Sequence, residues 1–161
     1  LDYCNSLYLN LPASHLNRLQ LIQNAAARAT VNSPKWHHVT PVIKSLHWLK
    51  VRERIHYKVL SLTYNAIQFK QPAYIHNLLT IQSSQNTRSS KLITLKRPTN
   101  PSRLKVTDHP YYFHAPVLWN SLPPALRQIS TDSIYPVVNM SPGLFHSKLK
   151  TYLFSKSHPP D

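Results

Sequence analysis

Apolar side chains recur with a helical period along the first half of the chain, most clearly over residues 51–67. At about 100° per residue, Val51, Ile55, Val59, Leu62 and Ala66 share one stripe. Tyr57, Leu60, Tyr64 and Ile67 share a second stripe opposite the first. A helix apolar on two sides requires packing partners on both, so this segment is expected to be central. Arg54, Lys58, Ser61 and Asn65 form a polar wall between the stripes.

The same pattern predicts further helices on either side. Residues 1–11 read as the end of a helix stopped by Pro12. Ser14 then reads as the N-cap of a helix over 15–30, with Leu16, Leu19, Ile22, Ala25, Ala26 and Ala29 on its inner face and Asn17, Gln20, Asn24 and Arg28 outside. Thr40 followed by Pro41 predicts the cap and first position of a short helix to Leu46. Trp48 is read as a core anchor, and Tyr74, Ile75, Leu78 and Leu79 give one more short amphipathic helix. Towards the end, Pro123 and Pro124 punctuate two short helices around Trp119 and Leu126, and residues 131–143 read as a loop. A last helix over 144–154 places Phe145, Leu149, Tyr152 and Leu153 on one side and Lys148 and Lys150 on the other, and Trp119 and Phe154 are expected to complete the core.

Between these helical halves the character changes. Residues 82–100 are rich in Ser, Thr, Asn and Gln, and 92–95 is β-prone, with 103–106 as its expected hairpin partner. The fold class expected is therefore mostly α, a small helical domain with a short β-hairpin or extended basic segment near residues 90–106. Its parts are a helical region over 1–80, a basic polar segment over 81–113 and C-terminal helices over 114–161 packing on the same core.

Charge narrows the function. Among 161 residues there are 19 Lys plus Arg against 5 Asp plus Glu, a net charge of +14, and no acid occurs over 3–52 or 54–107. Such an unopposed positive field favours a polyanion, with nucleic acid ahead of an anionic membrane. No apolar run is long enough to span a bilayer. The five acids Asp2, Glu53, Asp108, Asp132 and Asp161 are scattered singly, whereas two-metal phosphoryl transfer needs several carboxylates converging on the ions. Glu53 is expected to pair with Lys50 or the Tyr57 hydroxyl, or to lie solvated at the start of its helix.

Ten histidines, among them His37, His38 and His47, lack the spacing of a metal motif, and the single Cys4 has no evident base, so no metal, cofactor or small-molecule substrate is expected. One glycine, Gly143, rules out a phosphate-cradling glycine-rich loop. One cysteine also excludes an intrachain disulfide and fits a reducing compartment.

What remains is binding. Arg88, Lys91, Lys96, Arg97, Arg103 and Lys105, interleaved with Ser, Thr and Asn and followed by Tyr111, Tyr112 and Phe113, fit phosphate contacts plus base stacking. Arg54 and Lys58 on the polar wall add two further candidate phosphate contacts. A solvated basic hairpin beside ordinary core aromatics gives the same pattern.

The words themselves carry a resemblance. LDYCNSLY, LNRLQLIQNAAAR, HVTPVIKSLHWLKVRERIHYKVLSLTYNAI, PAYIHNLL, TRSS, APVLWNSLPPALR and FHSKLKTYLF occur in this order. In them the chain resembles the C-terminal part of the reverse transcriptase of non-LTR retrotransposons, LINE elements of the Jockey-like and chicken-repeat groups. The most specific words are residues 23–28, 46–49 with 52–55, and 118–123.

The resemblance implies a parent RNA-directed DNA polymerase whose catalytic palm lies upstream. This chain would then be a noncatalytic, thumb-proximal region that helps hold template RNA and primer, with RNA or DNA and the upstream polymerase domain as partners, in the nucleus or cytoplasm. With Leu1 first and Met140 its only methionine, the chain reads as cut from a longer protein. The alternative is an eroded or domesticated relic that acts, if at all, as a packing or protein-interaction domain. Glycines common in the family near Asn10, near Phe69 and before Tyr111 are missing, which puts the corresponding turns in question.

Overall fold

The computed structural model of the chain describes residues 4–82, 91–98, 110–130 and 135–159. The expected mostly helical fold is present. A 3-10 turn, Asn5–Asn10, is followed by α1 (Ala13–Thr30), α2 (Val39–Ser45), α3 (Val51–Phe69), α4 (Ala73–Leu78), α5 (Pro110–Asn120), a second 3-10 turn, Pro124–Leu126, and α6 (Pro142–Ser157). The chain forms two compact units, Leu1–Tyr57 with Lys150–Asp161, and Lys58–Leu149, whose boundaries fall inside α3 and α6.

In the first unit α1 packs on α2. Neither begins on the expected cap. The first turn of α1 is closed by the Pro12 carbonyl, which accepts from His15 and Leu16, so Ser14 lies inside the helix. Thr40 and Pro41 likewise fall within the first turn of α2, which starts after His38. The inner face of α1 is rotated by about a quarter turn from the apolar one. Gln23 and Ala27 are buried, whereas Leu21 and Ile22 are 67% and 58% exposed and Ala25, Ala26 and Ala29 face outward.

The reason lies in backbone groups that need partners. Val51 opens α3 with an orphan amide, and Gln20 Oε1 accepts it at 2.9 Å while Gln20 Nε2 donates to Asn24. Gln23 Nε2 donates to the Leu49 carbonyl at 2.7 Å. Buried backbone groups need partners, and two glutamines on the inner face of α1 supply them, although Gln23 Oε1 is itself buried without a hydrogen bond.

Both α1 and α2 end in a Schellman turn. Ser33 and Asn32 amides return to Arg28 and Ala29, and those of Trp48 and His47 return to Ile43 and Lys44. The positions that glycine usually takes are held by Asn32 (φ 51°) and His47 (φ 53°). Trp48 is half-buried and lies under the Arg54 guanidinium, 5.6 Å from the ring centroid, with Leu49 as the more deeply buried neighbour. Glu53 sits in the first turn of α3, yet its Oε2 is buried without a hydrogen bond, so neither expected pairing is made through that oxygen.

The second unit is built around the rest of α3. Val59, Leu60, Tyr64, Ala66 and Ile67 are all buried, so both stripes are covered, and Tyr64 stacks on Phe145 of α6 at 4.1 Å with its hydroxyl donating to the Met140 carbonyl. Phe145 stacks in turn on Trp119 of α5. The apolar side expected for the last helix is correct, with Phe145, Leu149 and Leu153 buried and Lys148 and Lys150 exposed. In the first unit, Phe154 is only half-buried, between His47 and His158.

Extended structure among the described residues is limited to single antiparallel bridges, Ile81 with Leu95, Leu92 with Gln128, and Ile129 with Val138. Together they make a four-segment ladder in the order 80–82, 91–96, 127–130, 137–139, each junction closed by two backbone hydrogen bonds of 2.8–2.9 Å. The expected hairpin partner, 103–106, lies outside the described residues. Part of the segment expected to be a loop enters this ladder through Val138, whose amide also donates to Gln68 of α3.

Candidate nucleic-acid interface

Residues 91–97 alternate between two demands. Ile93 and Leu95 are buried at 0% and 1% exposure, which fixes the segment to the core, while Lys91, Lys96 and Arg97 are exposed. Their backbone is held on both sides. The Ile93 amide donates to Arg127 and the Lys96 amide to Thr80, and the Lys91 and Thr94 carbonyls accept from Ile129 and Gln82.

The C-terminal turn of α5 completes the clamp. Trp119 Nε1 donates to the Ile93 carbonyl at 3.0 Å. The Asn120 carboxamide accepts the Leu95 amide at 3.0 Å and donates to the Leu95 carbonyl at 2.8 Å, so one side chain serves as a strand neighbour. Neither role was visible in the sequence, where Trp119 counted only as apolar bulk; an Asn closing a helix beside a β-prone run is the one signal available. Arg127 Nε donates to the Leu122 carbonyl, and desolvation pulls this guanidinium below its ordinary value.

The structure therefore brings three of the expected cations, Lys91, Lys96 and Arg97, onto one fixed segment. Lys58 is exposed on α3. Arg54 lies in the first unit and is half-buried, with Nε on the Leu49 carbonyl and its guanidinium over Trp48. Arg88, Arg103 and Lys105 lie outside the described residues. The polar wall is not an open face along its length, because Ser61 is buried and bonded to His146 Nδ1 at 3.3 Å.

The Tyr-Tyr-Phe cluster is helical and so does not present three rings on one side. Pro110 opens α5 and the chain passes through Pro116 within it, so successive rings point about 100° apart. Tyr111 turns inward, 7% exposed, and its hydroxyl meets Thr63 Oγ1 at 2.7 Å. Since the Thr63 hydroxyl donates to the Val59 carbonyl, Tyr111 is the donor. Burial pushes its phenol well above the ordinary value. Tyr111 is thus a core residue, and of the three only Tyr112 is exposed.

Among the described residues no group of three or more His, Cys, Asp or Glu gathers as a metal site, and no helix is long and apolar enough to cross a membrane. Comparison of the chain with family models, with characterised proteins and with solved structures finds no match.

Proposed function

We propose that this chain is a noncatalytic nucleic-acid-binding region of a LINE-type reverse transcriptase, helping to hold template RNA and primer beside an upstream polymerase domain. The observation that carries the reading is the 91–97 segment: three exposed cations on a backbone anchored by Ile93, Leu95, Trp119 and Asn120, in a chain of net charge +14. A fixed backbone lets Lys91, Lys96 and Arg97 meet phosphates with little ordering cost beyond their own side chains. Lys58 adds a further exposed cation, and Arg88, Arg103 and Lys105 belong to the same basic stretch of sequence. With phosphates as the target, RNA and DNA are both bound, and the A-form geometry of template RNA or its hybrid sets the preference.

Charge reversal tests it. Lys96→Glu with Arg97→Glu should weaken RNA and DNA binding alike and make the log–log salt slope shallower by about one per lost contact. Unchanged affinity and slope would remove the segment from the interface.

One observation favours a second reading, the packing or interaction relic. Leu21 and Ile22 on α1, and Trp36 at 82% exposure beyond it, are apolar groups left uncovered in the first unit. Uncovered apolar side chains of this kind suit contact with the upstream polymerase body or another protein. An isolated chain that aggregates and becomes soluble once the upstream segment is restored would support this reading.

A further inference from the structure

Where α3 ends, the second unit has a cleft of about 430 Å³ lined by Asn65, Phe69, Gln71 and Pro72. We infer that this cleft is a nucleobase subsite, in which a base stacks on Phe69 and presents its hydrogen-bonding edge to the Asn65 and Gln71 carboxamides. The inference rests on the nucleic-acid reading above for the strand that delivers the base; the cleft's own chemistry is independent of the 91–97 segment.

The geometry follows from the helix end. Asn65 and Phe69 are four apart on α3 and so share a face. Lys70 adopts φ 56°, the left-handed conformation that turns a chain back from a helix terminus, and beyond it Gln71 and Pro72 join the lining. Phe69 meets Tyr64 edge to face, with ring centroids 6.5 Å apart and planes at 82°, yet the residue remains 51% exposed. Neither the Asn65 nor the Gln71 side chain bonds to another described residue.

An exposed aromatic residue and two unengaged carboxamides lining one cleft have the composition of a base-binding site. Each carboxamide offers both donor and acceptor, as a base edge does, and the ring supplies stacking of about 1–3 kcal/mol per base. Among the described residues no acidic side chain lines the cleft. Lys70, between Phe69 and Gln71 in the chain, carries the nearest positive charge in sequence, with its Nζ 3.9 Å from the Tyr135 ring centroid.

The test is a ¹⁵N–¹H correlation spectrum of the full chain titrated with AMP, with ribose 5-phosphate and with a single-stranded oligoadenylate. Shifts of the Asn65 and Gln71 side-chain NH₂ signals are expected with AMP and with the oligonucleotide, but not with ribose 5-phosphate. Phe69→Ala should abolish them and weaken oligonucleotide binding roughly 5- to 150-fold with the salt slope kept, whereas Phe69→Tyr should retain both. The backbone spectrum reports whether each variant is folded, and Gln71→Ala, outside any helix, provides a second variant with the same expected loss of its partner's shift.

Signals that stay still with AMP, that move equally with ribose 5-phosphate, or that persist in folded Phe69→Ala overturn the inference. Movement with AMP alone assigns the cleft to free nucleotides and overturns its role on a strand. An oligonucleotide that binds with a full salt slope but leaves both carboxamides unmoved overturns the cleft and spares the basic segment. Shifts without salt-dependent binding do the reverse.

Discussion

At the scale of single residues, the consequential side chains are those that complete another residue's hydrogen bonding. Tyr111 illustrates this: its hydroxyl donates to Thr63, whose own proton is committed to Val59, and the phenol is buried. Ionisation would place an unsolvated charge there, which is why its pKa lies above the ordinary 10.0. The unfolded chain then releases this proton first as pH rises. The stability Tyr111 contributes is complete below pH 10 and is lost as pH climbs from there towards the folded value. Tyr111→Phe should cost about 0.5–1.5 kcal/mol near neutral pH and should flatten the alkaline loss, as measured by urea midpoints between pH 8 and 11. An alkaline loss as steep as in the parent chain would deny Tyr111 its part.

Residues of this kind are the least legible from sequence. Hydropathy assigned Gln20 to the outside of α1 and put Leu16, Ile22 and Ala25 on one inner face; the fold instead turns Gln20 and Gln23 inward to serve Val51 and Leu49. A carboxamide that satisfies a distant backbone group looks, in sequence, like any solvated one. The turn near Phe69, in doubt for want of a glycine, is made by Lys70 in the left-handed region.

At the scale of elements, periodicity was a good guide wherever apolar burial alone decides orientation. The two stripes of α3 and the single apolar side of α6 are as the spacing requires, because each meets a neighbouring apolar surface. For the 92–95 run the β tendency was readable. Its described partners are Ile81 and Gln128, while the expected partner, 103–106, lies outside the described residues. Single bridges leave no alternating pattern long enough to identify a partner.

The element that positions the basic segment is the last turn of α5, and Asn120 carries a prediction there. Asn120→Ala leaves the Leu95 amide and carbonyl, both part-buried, without that partner, at a cost of about 1–3 kcal/mol in urea denaturation. The same substitution should lower RNA affinity through misplacement of Lys96 and Arg97, although Asn120 need touch no phosphate. A variant that is destabilised by that amount but binds RNA as before would separate the clamp from the interface. Of the candidate site, Lys58, Lys91, Lys96 and Arg97 are exposed as cations open to a phosphate must be, and charge and spacing alone had marked them. The engagement of Arg54 with Trp48 and the inward turn of Tyr111 were not, since both depend on tertiary neighbours.

At the scale of the whole molecule the dominant fact is charge, +14 spread over 161 residues with five acids to oppose it. A field of this kind acts over about a Debye length and makes any polyanion contact strongly dependent on salt. The most direct test is a fluorescence-anisotropy titration of the chain against an RNA hairpin, an RNA–DNA hybrid and a duplex DNA at two salt concentrations. The proposed role predicts tighter binding of the hairpin or the hybrid, with a log–log salt slope of roughly −4 to −5 for about six phosphate contacts. Binding that is absent near physiological salt, or equally weak for all three, would contradict it and leave the packing relic as the better description.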